Sequence, residues 1–228
     1  MKRTRLLFLK ISVTSFFSIF LISAEIAFGD ILCEVKNSSK RLALTFDDGP
    51  DPNITPKILA LLAQHGARAT FFVIGENAKK FPLILKATFD AGHEIGNHNF
   101  KHHNLTKIGE SKICREIHAA QNAVFEVTKK WPVYFRPPYS AIGKRICDVI
   151  ESCGVKVVLG SLSSRDYTGL SASAIADLVL SDIKPGAIVI FHDHEGRENT
   201  VEALAIILQK LCERGFECVT LSELEEKK

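Results

Sequence analysis

The chain has 228 residues, 46% of them hydrophobic, enough for one domain with a sizeable core. Its 29 basic and 26 acidic side chains give a formal charge of +3, but four of the bases and one of the acids fall within the first 29 residues. The remainder carries 25 of each, so no basic block is left to hold nucleic acid, and export would argue against that role too.

In chain order, the first element is a targeting segment. Lys2, Arg3 and Arg5 precede an apolar run at residues 11–23, and small residues at Ala27 and Gly29 frame a cleavage site. Residues 1–29 therefore read as a signal peptide, and residues 30–228 as the exported domain, periplasmic or secreted. An uncleaved anchor is the alternative, but Lys10 interrupts the apolar stretch before it reaches the roughly 20 residues a bilayer span needs. With the signal removed, no membrane span and a monomer are expected.

From residue 41 the pattern alternates. Strands are predicted at residues 41–46, 69–75, 93–96, 133–135, 155–160, 187–191 and 216–220. Helices are predicted between them. The first is capped by Thr55, has Pro56 at its first position and stops at Gly66. The others cover residues 76–90, 111–130, 142–153, a stretch capped by Ser171 that ends before Pro185, and 199–214. The seven strands are near-continuous apolar runs, as parallel strands covered on both faces should be. This predicts an α/β fold, a single-domain, closed or nearly closed β/α barrel of parallel strands, with an open doubly wound sheet as the alternative.

In such folds function gathers where strands end. The first strand ends in "TFDDGP", with Asp47 and Asp48. The third runs into "NHNFKHHN", with His98, His102 and His103; the fourth into "RPPYS", with Arg136 and Tyr139. The fifth is followed by "SLSSRDY", with Asp166, and the sixth by "HDHE", with His192, Asp193, His194 and Glu195. His98 and His102 are four apart, a spacing that puts two imidazoles on one face of a helical turn. Two histidines and a carboxylate from Asp47 or Asp48 make a three-ligand zinc site with a position left for water. The second carboxylate is then free to act as a general base, and the metal charge offsets the repulsion between the two. Read alone, "DDGP" is an acidic turn; the five strand ends together make it part of a site.

These motifs resemble the NodB-type polysaccharide deacetylases, carbohydrate esterase family 4. The resemblance spans roughly residues 41–224 and rests on five ordered motifs: "TFDDGP", "ATFFVIG", "GHEIGNHNFKH", "RPPY" and "IVIFHD". It implies a distorted (β/α)7 barrel and hydrolysis of N-acetyl groups on an acetylated glycan: peptidoglycan, a chitin-like oligomer or an exopolysaccharide. It also implies Zn2+, with Co2+ or another divalent metal as a substitute. By resemblance, Asp47 is the general base, and Asp48, His98 and His102 are the metal ligands. Tyr139 contributes a backbone N–H to an oxyanion hole, His192 is the general acid and Asp166 holds it. Arg136 borders the site and orients its acidic partners.

The sequence departs from the family pattern at Asn99, Ser140, Ser163 and Tyr167, which puts the groove wall and the identity of the glycan in question. An O-acetyl esterase of xylan type, or a non-catalytic glycan-binding protein on the same fold, are the alternative functions. His194 competes with His192 as the acid. His93 is expected to be structural, and Trp131 to pack rather than stack on sugar. The six cysteines form no CxxC pair; they read as scattered buried thiols with one or two bridges, and the sequence does not select the pairing.

Overall fold

The computed structural model describes residues 31–36 and 39–226; the expected signal peptide lies outside them. Among them are eight strands: β1 (Arg41–Asp47), β2 (Ala69–Val73), β3 (Glu94–Asn97), β4 (Tyr134–Phe135), β5 (Lys156–Val157), β6 (Leu162–Ser163), β7 (Ile188–His192) and β8 (Glu217–Cys218). The same described residues form eight α-helices: α1 (Thr55–Gln64), α2 (Gly75–Lys80), α3 (Pro82–Asp90), α4 (Glu110–Thr128), α5 (Lys144–Ser152), α6 (Ala172–Asp182), α7 (Glu198–Glu213) and α8 (Leu221–Glu225). None of the described helices is long and apolar enough to cross a membrane.

Seven strands lie in the order β5-β4-β3-β2-β1-β7-β6, every pair parallel, and β8 pairs with the start of β1. This is the distorted β/α barrel that the alternating pattern predicts. It is incompletely closed, because among the described residues β5 and β6 do not pair with each other. The segment around Leu32 spans that gap. Its N–H donates to the Val157 carbonyl (2.9 Å), its carbonyl accepts from Leu159 (2.9 Å), and Val35 donates to Gly186 (3.0 Å).

β1 sits at the centre because it is buried along its whole length. Leu42, Leu44 and Phe46 face outward into a core shared with α1, α6 and α7. There Phe46 stacks on Phe71 and Phe191, with ring centroids at 5.0 and 5.6 Å. The alternate residues face the barrel interior, where Ala43 packs with Tyr134, Ile188 and Leu221. Above them Thr45 and Asp47 meet the guanidinium of Arg136, which lies 4.1 Å over the Phe72 ring. Gly96 makes room for that ring: a Cβ there would stand 2.5 Å from it.

Register then delivers the site. Asp47 pairs with His192, so both side chains end up side by side at the top of the barrel. Val73 pairs with Asn97 and Asn97 with Phe135, which places His98 and Arg136 in neighbouring positions one residue later.

Several boundaries differ from the sequence expectation. The helix predicted at residues 76–90 is two helices, because Pro82 lacks an N–H and holds Phe81 out of the helical region (φ −126°, ψ 55°). Thr55 is not the cap of α1 but its first residue; its hydroxyl instead accepts from the Asp51 N–H at 2.8 Å. The fifth strand shortens to two residues, and the chain turns at Gly160 (φ 104°) to make the unpredicted β6. α8 is also unpredicted, although Thr220 and Glu223 form a full capping box there.

Candidate active site

The strand-end side chains converge on one cleft of about 530 Å³, lined among others by Asp47, Asp48, His98, His102, Tyr139 and His192. The backbone around it is held in an unusual state. Among the described residues seven non-glycine residues have positive φ, and six of them (Asp48, Asn99, His102, Tyr139, Ser140, Arg165) border this cleft or the loops that form it. Strain of that kind persists only where the surroundings dictate it, and it collects at functional sites.

Three of these side chains form a cluster. The Nε2 atoms of His98 and His102 lie 3.4 and 3.2 Å from Asp48 Oδ1, and one ligand atom from each residue falls within 4.8 Å of the others. His98 Nδ1 is 2.7 Å from the Arg136 carbonyl. A carbonyl can only accept, so Nδ1 carries a hydrogen, and Nε2 is the ring nitrogen turned toward Asp48. Burial, and then the charge of His98, lowers the pKa of His102, while Asp48 and Asp47 oppose that shift. Asp48 Oδ1 is buried with no hydrogen-bond donor. An orphaned carboxylate oxygen facing imidazole lone pairs is what a divalent cation would satisfy, so the donor set fits a metal.

Asp47 stands beside the cluster and is only 4% exposed. Arg136 Nη1 donates to its Oδ1 and to Thr45 Oγ1, both at 2.7 Å. Arg136 is itself fully enclosed, so it acts from beneath Asp47. Opposite them, His192 Nδ1 lies 2.7 Å from Asp166 Oδ1, while Asp166 Oδ2 accepts the His192 N–H (2.8 Å) and the Thr200 hydroxyl (2.9 Å). Burial works to lower the pKa of His192, but the Asp166 hydrogen bond and charge outweigh it, and the net shift is upward. Asp166 is pushed up by burial and pulled down further by the same pair, ending below its ordinary value.

The walls are aromatic. Tyr139 is 67% exposed, with its ring 4.7 Å from that of His102, and Tyr167 meets His192 edge-on at 5.5 Å. His194 also borders the cleft, but both ring nitrogens are engaged: Arg197 Nε donates to Nε2 at 3.0 Å, and Nδ1 faces the Glu195 carbonyl at 2.8 Å.

Comparison with known proteins agrees with this geometry. The family model described as polysaccharide deacetylase matches residues 34–158. A peptidoglycan-N-acetylglucosamine deacetylase of Bacillus cereus is 39% identical over 199 residues, covering 86% of this chain and 93% of the relative. The chain belongs to the polysaccharide deacetylase family.

Another relative, the peptidoglycan-N-acetylglucosamine deacetylase PgdA of Listeria monocytogenes, is 36% identical over 191 residues. That match takes in 84% of this chain but only 40% of PgdA, so the chain spans about two fifths of that relative's length. Among solved structures, the Bc1960 peptidoglycan N-acetylglucosamine deacetylase superposes with a TM-score of 0.83 at 34% identity, covering 87% of this chain and 94% of the other.

Two carboxylates that support the site went unassigned in the sequence. Asp193 is fully buried; its Oδ1 accepts the Gly49 N–H (2.9 Å) and its Oδ2 the Thr55 hydroxyl (2.6 Å), which pins the Asp47–Asp48 turn to α1. Gly49 is required there, since a Cβ would come within 2.2 Å of the Asp193 carboxylate. Burial pushes Asp193 up to about 7, with Asp48 adding to the rise and the Thr55 bond opposing it. Glu116 of α4 holds the other loop: Oε1 lies 2.5 Å from His103 Nδ1 and Oε2 accepts the Lys101 N–H at 3.3 Å, one residue either side of His102. A buried acid within an otherwise apolar helical stripe was the available signal for Glu116. His93 and Trp131 are as expected. His93 is buried, accepts the Ala69 N–H at 3.2 Å and is lowered to about 4 by burial; Trp131 stacks on Phe125 at 4.2 Å.

Proposed function

We propose that the chain is an exported, zinc-dependent hydrolase that removes N-acetyl groups from an amino-sugar glycan, releasing acetate and a free amine. The observation that carries this reading is the juxtaposition of the Asp48–His98–His102 cluster with an arginine-held carboxylate on one side and an aspartate-held imidazole on the other. A peptidoglycan-type N-acetylglucosamine polymer is the favoured substrate, on the strength of the relatives' activities. In this reading residues 1–29 are the signal peptide and residues 30–228 the catalytic unit.

Asp48, His98 and His102 would hold the metal, which when bound supplies a Lewis acid and lowers the pKa of water toward about 7. Asp47 takes the proton of the attacking water. Arg136, a positioning residue, fixes that carboxylate by occupying Oδ1. Charge that develops on the acetyl oxygen meets the Tyr139 backbone N–H; one such donor is worth about 3 kcal/mol. His192 has Nδ1 committed to Asp166, so Nε2 is the nitrogen that protonates the departing amine, and Asp166 favours the charged ring. Tyr139 and Tyr167 offer apolar faces to the sugar rings on either side.

The test is acetate release from N-acetylglucosamine oligomers and from peptidoglycan by the full chain with added zinc, beside acetylated xylan. Amide cleavage by the wild type, with Asp47→Asn slower by at least about 10²-fold, is expected. Acetate from xylan alone would move the assignment to an ester substrate. Zinc binding with no acetate from any of the three would make the chain a binding protein.

A further inference from the structure

Of the six cysteines, two meet. Cys114 on α4 and Cys153 at the C-terminal cap of α5 bring their sulfurs to 2.9 Å. Among the described residues no other two sulfurs come together; Cys33 and Cys212 are exposed, and Cys147 and Cys218 are buried singly. The pair sits in a small core with Leu105, Ile113, Ile117, Phe135 and Ile150. That core backs the thinnest part of the sheet. β4 has two residues and joins β3 through the single register pair Asn97 and Phe135, and β5 through two pairs. Across the outside of α4 and α5, the Arg145–Glu110 ion pair is exposed and 3.4 Å long, which contributes little.

The chain between the two cysteines contains β4, Arg136 and the turn bearing Tyr139, one whole wall of the cleft. We infer that Cys114 and Cys153 form a disulfide that ties α4 to α5 and braces this wall from behind. The chemistry needs a disulfide oxidant such as oxidised glutathione. Burial, and then the bond to Cys114, raise the Cys153 thiol to about 12, so Cys153 keeps its proton, and Cys114, the less buried of the two, is where an oxidant enters. The Cys114 thiolate attacks the oxidant, one thiolate leaves, and a mixed disulfide forms. The Cys153 sulfur then attacks the Cys114 sulfur while its proton passes to the second departing thiolate. Two electrons and the two thiol hydrogens end on the oxidant, which becomes two thiols. The bridge closes a loop of about 40 residues and stabilises mainly by constraining the unfolded chain.

The experiment equilibrates the full chain with a glutathione redox buffer or with dithiothreitol, alkylates free thiols, digests without reduction and maps peptides by mass spectrometry. The expected result is a Cys114–Cys153 cross-linked peptide in the oxidised sample alone. Its thermal midpoint should lie roughly 5–10 °C above that of the reduced sample. This difference should vanish in Cys114→Ala and in Cys153→Ala. Alkylation of both cysteines after oxidation, linkage of either to a different cysteine, or equal midpoints in the two samples would overturn the inference. None of these readouts depends on catalysis, so they stand or fall apart from the assignment of the reaction.

Discussion

At the scale of single residues, the site is a set of side chains each fixed by a second one. Arg136 holds Asp47, Asp166 holds His192, and the Arg136 carbonyl sets the tautomer of His98. The His192 pair gives a pH prediction. With His192 as the proposed acid, its raised pKa keeps it protonated below that value, so kcat/KM should fall as pH rises through it. Asp166→Asn removes the hydrogen bond and charge that raise it most, leaving only the smaller contributions of Asp47 and Asp48 against burial, which lowers the pKa. The alkaline limb of the profile should move to lower pH, with the metal content unchanged. An alkaline limb that stays in place would assign the acid to another group.

At the scale of elements, the loops are held by buried carboxylates on neighbouring segments. Glu116→Gln should weaken zinc binding by about 10- to 100-fold while leaving the helical circular dichroism intact, because it releases both sides of the His102 turn. Asp193 makes a stability prediction. Its folded pKa is raised to about 7 from 3.8, so between those values the folded state binds more protons than the unfolded one. Unfolding free energy therefore falls as pH rises through that window. Denaturant titrations in chelator at pH 5 and pH 7.5 should show a smaller loss for Asp193→Asn than for the wild type. The difference should be on the order of a few kcal/mol. Asparagine can still accept from Gly49 and donate to Thr55, so the turn is kept.

Both carboxylates also show where sequence reading stops. "TFDDGP", "RPPY" and "IVIFHD" were legible because the candidate site residues sit at ends of apolar runs, where a polar residue is conspicuous. Glu116 lies mid-helix, 13 residues from His103, and Asp193 is 144 residues from Gly49, so only the folded chain brings them to their loops. The helix break at Pro82 was written in the sequence and passed over within a long helical pattern. β6 and the short β5 were not readable, because they are set by tertiary pairing with β7 and β4 rather than by their own composition.

At the scale of the whole molecule, three core clusters among the described residues share one sheet, and the Asp48–His98–His102 cluster lies at the strand ends beside Asp47. β1 contributes to the outer core and to the barrel interior and carries Asp47 at its end. Binding a cation at its end should therefore stabilise the whole domain. At zinc concentrations about 1,000-fold above Kd the gain is roughly 4 kcal/mol, equivalent to a thermal midpoint higher by about 10 °C for a chain of this size. Asp48→Ala should abolish that rise. One titration tests the proposed metal site most directly: acetate release from an N-acetylglucosamine oligomer by metal-stripped protein as zinc is added back. The expected result is negligible release without metal and activity that saturates at one zinc per chain, with His98→Ala inactive throughout. Full activity in the stripped protein, or saturation that survives His98→Ala, would contradict it.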